Sequence, residues 1–503
     1  MAGSRAPAFW LGAACFLVHL AANPHYDVFR DELYFIACGE HPAFGYVDQP
    51  PLVPLIAAGS YKLFGTALTP LRLIPALAMA ATVALTADFA RRLGGGRFAQ
   101  TLAGLCVLLA PALLVDGALL STDCLQPLTW LACARILARL IASGDERWWL
   151  AFGAVVGVSF ETKYLIAFFV AALAIGVVAT PLRRSLMRPW VYAGAALALA
   201  IALPNIVWQA QHGWPFVEIG RADAGSKSVA LSPVGFLLQQ ALFVGPASAP
   251  VWLAGLWRLA ARSPRPQLRA LAIAYVALMA IFVAAHGKAY YLAPIYPVLF
   301  AVGGLAWEAW LKRPIWRGAA FAIVVVPGLF AAPTVLPVLP PDVLVAYMQA
   351  VGFSPKATQT ERMKLSTLPQ YFADMFGWRE MAAAVSAVYR DLPPDDRAQA
   401  VFFAPNYGEA AALDVYGPAL GGPPTISVHN AFFLWGPGGA SGAVVITVAH
   451  DAGRLSAFYD DVRAAGRIEN AYAMPYESGL TIWVLRRPRA PIAEMWSALR
   501  HYD

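Results

Sequence analysis

The sequence predicts a mostly α-helical integral membrane protein of about eleven transmembrane helices, followed by an α/β domain outside the membrane. Three observations predict it. Of 503 residues, 59% are hydrophobic and only 13% charged, and the mean hydropathy is +0.57. A soluble domain carries about twice that share of charge, so this chain has too little polar surface to cover itself in water. The basic excess is uneven as well: residues 1–339 hold 24 Lys and Arg against 14 Asp and Glu, and residues 340–503 hold 13 against 16. Finally, the texture changes near residue 340, where charge becomes ordinary and short β-like runs begin. The expected domains are therefore 1–339, in the membrane, and 340–503, extracytoplasmic.

The helices follow from two rules. A span needs about 20 apolar residues, and Lys and Arg collect in cytoplasmic loops. Basic clusters fall at Arg5, Arg91/Arg92/Arg97, Arg139/Arg147, Arg183/Arg184/Arg188, Arg258/Arg262/Arg265/Arg269 and Lys312/Arg313/Arg317. Between consecutive clusters there is room for an out-and-back pair. The expected spans are 8–23, 70–91, 98–115, 124–142, 148–161, 164–181, 190–206, 233–257, 270–286, 291–310 and 318–338. That odd number puts the N-terminus inside and the C-terminus outside. Segment 51–64 is too short to span and reads as a helix lying in the membrane interface.

Beyond the Pro-rich tether "PTVLPVLPPD", residues 400–404, 442–450 and 480–487 read as strands. Segments 378–390 and 452–465 read as helices. The five cysteines show no metal-ligand spacing, and most read as small core residues. Cys38 and Cys124 fall at one membrane face, where a disulfide is the lesser alternative. A nucleic-acid binder would concentrate its cations on one face with aromatics among them; here they track the membrane instead.

Chemistry gathers on the outer side. The stretch "HYDVFRDELYFIACGEHPAFGYVDQPPL" holds Asp27, Asp31, Glu32, Glu40 and Asp48. Acids beside membrane helices usually line a wet cavity and have a function. Asp31 and Glu32 are adjacent, so on a helix they point about 100° apart and take different roles. One faces a cavity while the other orients it or pairs with Arg30. Asp123 opens a helix after "LLST", where it serves either chemistry or the positive helix end. Asp116 and Glu161 read as orienting or capping groups. Lys163, Arg221, Lys227 and Lys288 stand where the positive-inside rule expects few cations. Lys288, in "HGKAYYLAP" with Tyr290 and Tyr291, is either an interfacial anchor or a phosphate clamp.

The segment "FRDELYFIACGEHPAFGYVDQPPLVPLI" resembles the first outer loop of the polyprenyl-phosphate-sugar-dependent glycosyltransferases of the GT-C class. That class includes protein O-mannosyltransferases, the lipid A aminoarabinose transferase and the bacterial RgtA/B/C/D-like enzymes. Similar patterns recur as "STDCLQPLTW", "ETKYLIAFF", "PNIVWQAQHGWPF" and "GKAYYLAPIYPVLFA", in the expected order across most of residues 25–310.

The resemblance implies a membrane glycosyltransferase of the bacterial inner membrane. It implies Asp31 as catalytic base, Glu32 as its support and Asp123 as the second essential carboxylate. Lys288, Tyr290, Tyr291 and Lys163 would hold the lipid phosphate. Asp48 and Gln49 fall at the substrate-binding turn before Pro50-Pro51, where the family often has His or Lys and this chain has an uncharged Gln. The implied partners are a polyprenyl-phosphate-linked sugar donor, a lipid, glycan or protein acceptor, and membrane lipids, with no nucleic acid. No cofactor is certain; paired acids can bind a divalent metal, but no ligand spacing here demands one. A phosphate leaving group needs little protonation, so one carboxylate suffices and the anomeric carbon is expected to invert. The alternative is a transporter or flippase of lipid-linked sugars, which favours broken helices in two matching halves; no such repeat is visible. A non-catalytic scaffold would leave Asp31, Asp123 and Lys288 without a reason to cluster.

Overall fold

A computed structural model describes residues 4–222, 229, 231–263 and 265–502. The chain folds as two compact units. The first takes the N-terminal helix, the stretch from Thr69 to Trp208, and the stretch that ends at Pro340. The second takes Pro341 onward together with Tyr26–Leu68 and a segment that starts at Gln209.

In the first unit, five helices among the described residues are long and apolar enough to cross a membrane, or eight if each bent pair is one span. Leu73–Arg92, Pro189–Gln211 and Pro314–Ala331 are among the long ones. Shorter apolar helices run Ala6–Ala22 and Trp148–Phe160. This is a multi-pass membrane protein. Three expected straight spans are broken. The 98–115 span bends by 66° between Arg97–Leu108 and Pro111–Ala118, and the 164–181 span by 103° before Pro181–Met187. The 233–257 span bends by 97° at Gly245-Pro246. Pro246 has no N–H to continue the helix ladder, and Gly245 adopts φ 88, a conformation that favours glycine.

Lipid supplies no hydrophobic force between helices, so close backbone contact through small residues does the packing. Helix Ala249–Ala261 packs on Tyr296–Trp310 in this way. A Cβ added at Gly255 would lie 2.0 Å from the Leu299 carbonyl oxygen, and one at Gly303 would lie 2.0 Å from that of Val251. Fixed polar links reinforce the bundle. The Asp88 carboxylate binds Arg91, Arg92 and Arg135 at 2.7, 2.7 and 2.8 Å. Glu308 accepts the Gly96 amide at 2.7 Å at the start of helix Arg97–Leu108.

The second unit is built on a five-stranded mixed sheet of order β2-β1-β3-β5-β4. Its strands are β1 (Ala400–Ala404), β2 (Thr425–Ser427), β3 (Val444–Ala449), β4 (Tyr459–Ile468) and β5 (Leu480–Pro488). β1 pairs in parallel with β2 and β3, while β5 runs antiparallel to β3 and β4. Helices Trp378–Asp391 and Tyr407–Leu420 pack on one another, and helices Arg30–Glu40 and Leu52–Phe64 also pack together. Helix Arg30–Glu40 lies against Tyr407–Leu420, so the first loop folds with the sheet domain. The expected helix at 452–465 is a correction: only Leu455–Ala457 is helical, and β4 begins at Tyr459. β5 is already paired on one side with β3, and its open edge is covered by β4, which overrides the local helical pattern. Among the described residues no disulfide forms; all five cysteines are buried thiols.

Replacing Gly303 with Val should force the Ala249–Ala261 and Tyr296–Trp310 backbones apart. We expect a loss of about 1–3 kcal/mol or more, read as a thermal midpoint of the detergent-purified variant below that of the unsubstituted protein.

Candidate active site

The first unit gathers one group of charges. Asp123 sits in the turn before helix Gln126–Ser143, and Lys163 in the turn between Trp148–Phe160 and Leu165–Val178. The Lys163 ammonium donates to Asp123 Oδ2 at 2.5 Å. It also lies over the rings of Tyr291 and Tyr290, at 4.9 and 5.9 Å from their centroids. Lys288 is close enough for its like charge to act on Lys163, and Asp116 senses both Asp123 and Lys163. The helix after Asp123 is N-capped by Leu125 without a side-chain bond, and the Asp123 carboxylate instead meets Lys163.

The scaffold explains this convergence. Gln126 donates to the Thr162 hydroxyl at 2.7 Å and accepts from Trp130 Nε1 at 3.0 Å, while Thr129 and Ser159 share a hydrogen bond of 2.9 Å. These bonds lock the turn carrying Lys163 to the turn carrying Asp123. The two tyrosines ride on a 3-10 segment, Ala289–Ile295. Gln240 holds it by donating to the Ala289 carbonyl at 2.9 Å while accepting from the Tyr296 hydroxyl at 2.9 Å.

The second unit gathers another. Glu32 is fully buried, and its carboxylate accepts the Phe29 amide at 2.9 Å, closing the helix that begins at Arg30. The adjacent Asp31 side chain keeps 34% of its surface exposed. Its Oδ1 accepts the Tyr407 hydroxyl at 2.8 Å and Arg30 Nε at 3.4 Å. Arg30 in turn donates to the Tyr476 hydroxyl at 2.6 Å, approaches Asp374 at 3.8 Å and lies 5.2 Å from the Tyr407 ring centroid. Tyr476 donates to Asp374 Oδ1 at 3.2 Å. Gly408 makes room, since a Cβ there would lie 2.7 Å from Arg30 Cγ.

Asp48 Oδ1 accepts the Tyr34 hydroxyl at 3.0 Å, and Gln49 is buried with its amide 3.8 Å from Cys38 Sγ. Asp27 is held by Arg379 at 2.6 Å. Arg221 lies in the last turn of the helix Pro215–Ala222, and Lys227 lies outside the described residues. Among the described residues no three His, Cys, Asp or Glu side chains are grouped to hold a metal.

Residues 48–208 match the family of dolichyl-phosphate-mannose-protein mannosyltransferases. Lipid A galacturonosyltransferase RgtD of Rhizobium johnstonii is 29% identical over 190 residues, which is 37% of this chain and 39% of that protein. The matched stretch thus spans about two fifths of that curated relative. The structure of ArnT from Cupriavidus metallidurans in the apo state superposes with a TM-score of 0.62 at 16% identity, over 95% of this chain and 97% of that one. Its form bound to undecaprenyl phosphate gives 0.59 at 16%, over 94% and 97%. The arabinofuranosyltransferase AftD from Mycobacteria gives 0.51 at 15%, over 98% of this chain and 40% of that one. The chain shares its fold with ArnT.

Tyr407, Asp374 and Tyr476 are the neighbours of Arg30 and Asp31 that sequence reasoning missed. They lie more than 300 residues from Asp31, and no local pattern marks them. Buried acids are a further feature of the second unit. Burial pushes the Asp374 carboxyl up to about 6, against the pull of Arg30. Burial likewise raises Asp414 and Glu477 to about 7 each. An unfolded carboxyl titrates near ~4, so these groups bind protons more tightly when folded. Their stabilising protonation is complete below pH ~4 and is lost as pH rises through 6 to 7. Asp414→Asn removes the buried charge, so it should raise the thermal midpoint at pH 8 by roughly 3 °C or more and change it little at pH 4. Equal shifts at both pH values would contradict that assignment.

Proposed function

We propose that the chain is an inverting glycosyltransferase that moves a sugar from a polyprenyl-phosphate donor to an acceptor at the extracytoplasmic face of a bacterial inner membrane. The likeness to ArnT over nearly the whole chain carries this reading, since one of those structures holds undecaprenyl phosphate. RgtD, named for action on lipid A, favours a lipid or glycan acceptor. All eleven spans expected from the sequence cross the membrane in this reading, with residues 340–503 outside.

Asp31 acts as the base. As the acceptor oxygen bonds to the anomeric carbon, the carboxylate takes the acceptor proton. The bond from that carbon to the phosphate oxygen breaks, and its electron pair leaves with the polyprenyl phosphate. Attack opposite the leaving group inverts the centre. Lys163 and Lys288 hold the departing phosphate, whose charge grows in the transition state. Tyr290 and Tyr291 frame the ammonium of Lys163, and Asp123 holds that ammonium in place rather than acting as a second base. Glu32 supports Asp31 by closing the helix on which it stands. Asp48 and Gln49 shape the adjoining turn, with Gln49 acting through packing. The donor arrives activated, so no nucleotide is consumed.

Purified protein in vesicles, supplied with a radiolabelled polyprenyl-phosphate sugar, tests the reading directly. Label joining an acceptor with inverted configuration supports it, whereas label that crosses the bilayer still attached to its lipid supports a flippase. Asp31→Asn should slow transfer by roughly 10²–10⁴-fold with the thermal midpoint unchanged; near-normal turnover would remove Asp31 as base. Lys288→Ala should weaken donor binding about tenfold or more, measured by titration with the unlabelled donor. Unchanged affinity would reduce Lys288 to an interfacial anchor.

A further inference from the structure

The Asp31 carboxylate is asymmetric. Both its hydrogen bonds, from Tyr407 at 2.8 Å and from Arg30 Nε at 3.4 Å, end on Oδ1. Among the described residues Oδ2 takes no hydrogen bond, and the side chain is 34% exposed. The two donors have different origins. Arg30 precedes Asp31 on the same helix, but Tyr407 opens the helix that follows β1 of the sheet domain. The same domain grips Arg30 through Tyr476 and Asp374, and the Arg30 backbone amide donates to the Asp374 carbonyl at 2.9 Å. Tyr407 is itself clamped, its ring centroid 4.6 Å from that of Tyr34. Burial holds the Tyr407 phenol well above its ordinary value; Arg30 opposes that rise and Asp31 adds to it. The hydroxyl therefore remains a donor at any working pH.

We propose that Tyr407 is a positioning residue for the transfer: its hydroxyl fixes Oδ1 of Asp31, leaving Oδ2 as the oxygen that takes the acceptor proton. This rests on Asp31 being the base. It gives the C-terminal domain a role in the chemistry, that of completing the base site from a position distant in sequence. A carboxylate that swings freely presents either oxygen in many orientations. One held through a single oxygen presents the other along one direction. Misplacement of a reacting group by about 1 Å can cost 10²-fold in rate.

Tyr407→Phe keeps the ring and its packing while deleting the donor. Transfer by the full-length variant should show kcat lowered about 10-fold to 100-fold, with KM for the lipid donor within about twofold of wild type. Losing a donor to the charged carboxylate also moves the acid limb of kcat/KM to higher pH, by about half a unit or more. The titratable and charged groups facing this carboxylate are Arg30, Tyr407, Tyr476 and Asp374, with Glu361 and Glu477 adjoining Asp374 and Arg30. Asp374 itself titrates near this range, so the limb is also measured in Asp374→Asn with and without Tyr407→Phe. A shift that persists in the Asp374→Asn background supports the proposal. A fall in kcat with an unmoved limb makes Tyr407 merely structural and overturns it, as does wild-type behaviour of Tyr407→Phe. In either case an inactive Asp31→Asn leaves the base assignment standing. Near-normal transfer by Asp31→Asn overturns the base, and this proposal with it.

Discussion

An ion without a partner is costly in lipid, and that constraint organises the charged residues of this chain. In the first unit the acids and bases meet one another. Asp88 collects three arginines, Asp123 holds Lys163, and the fully buried Arg72 donates to the Asn23 carbonyl at 2.9 Å. The Asp88–Arg135, Asp123–Lys163 and Arg72–Asn23 pairings each fix the relative position of helices or turns that are far apart in sequence. The constraint that keeps these charges compatible with a membrane therefore also holds them in place, as it holds the Lys163 ammonium between Asp123 and two tyrosine rings.

In the second unit the charged residues are partnered as well. Helix Arg30–Glu40 carries three consecutive charged residues with three separate tasks. Arg30 turns toward Asp374 and Tyr476, Asp31 stays partly exposed against Tyr407, and Glu32 folds back to cap its own helix. The angular step of a helix separates them, so adjacent carboxylates become one partly exposed group and one structural group. The sheet domain supplies the partners because helix Tyr407–Leu420 lies alongside helix Arg30–Glu40.

Legibility in the sequence followed the range of the interactions. The apolar helices could be read because lipid imposes length and composition on each segment separately. Their breaks could not be placed as well, although Gly245-Pro246 is a local signal that deserved a bend. β4 was misread because segment 452–465 has a helical pattern, while its strand state depends on the open edge of β5. The residues Asp31, Glu32, Asp123, Lys163 and Lys288 stood out as charges in unexpected surroundings. Tyr407, Tyr476 and Asp374 are ordinary residues of an ordinary domain until the fold brings them to Arg30 and Asp31.

What the sequence determined by itself is the membrane character, the order of the helices and the concentration of acids in the first loop. These depend on composition and on periodicity within single segments. What only the tertiary structure decided is the division of labour among those acids, and the joining of the first loop to the sheet domain. The physical reason is that a carboxylate's role is set by the donors that reach it. In this protein those donors come from Lys163, forty residues beyond Asp123, and from Tyr407, 376 residues beyond Asp31.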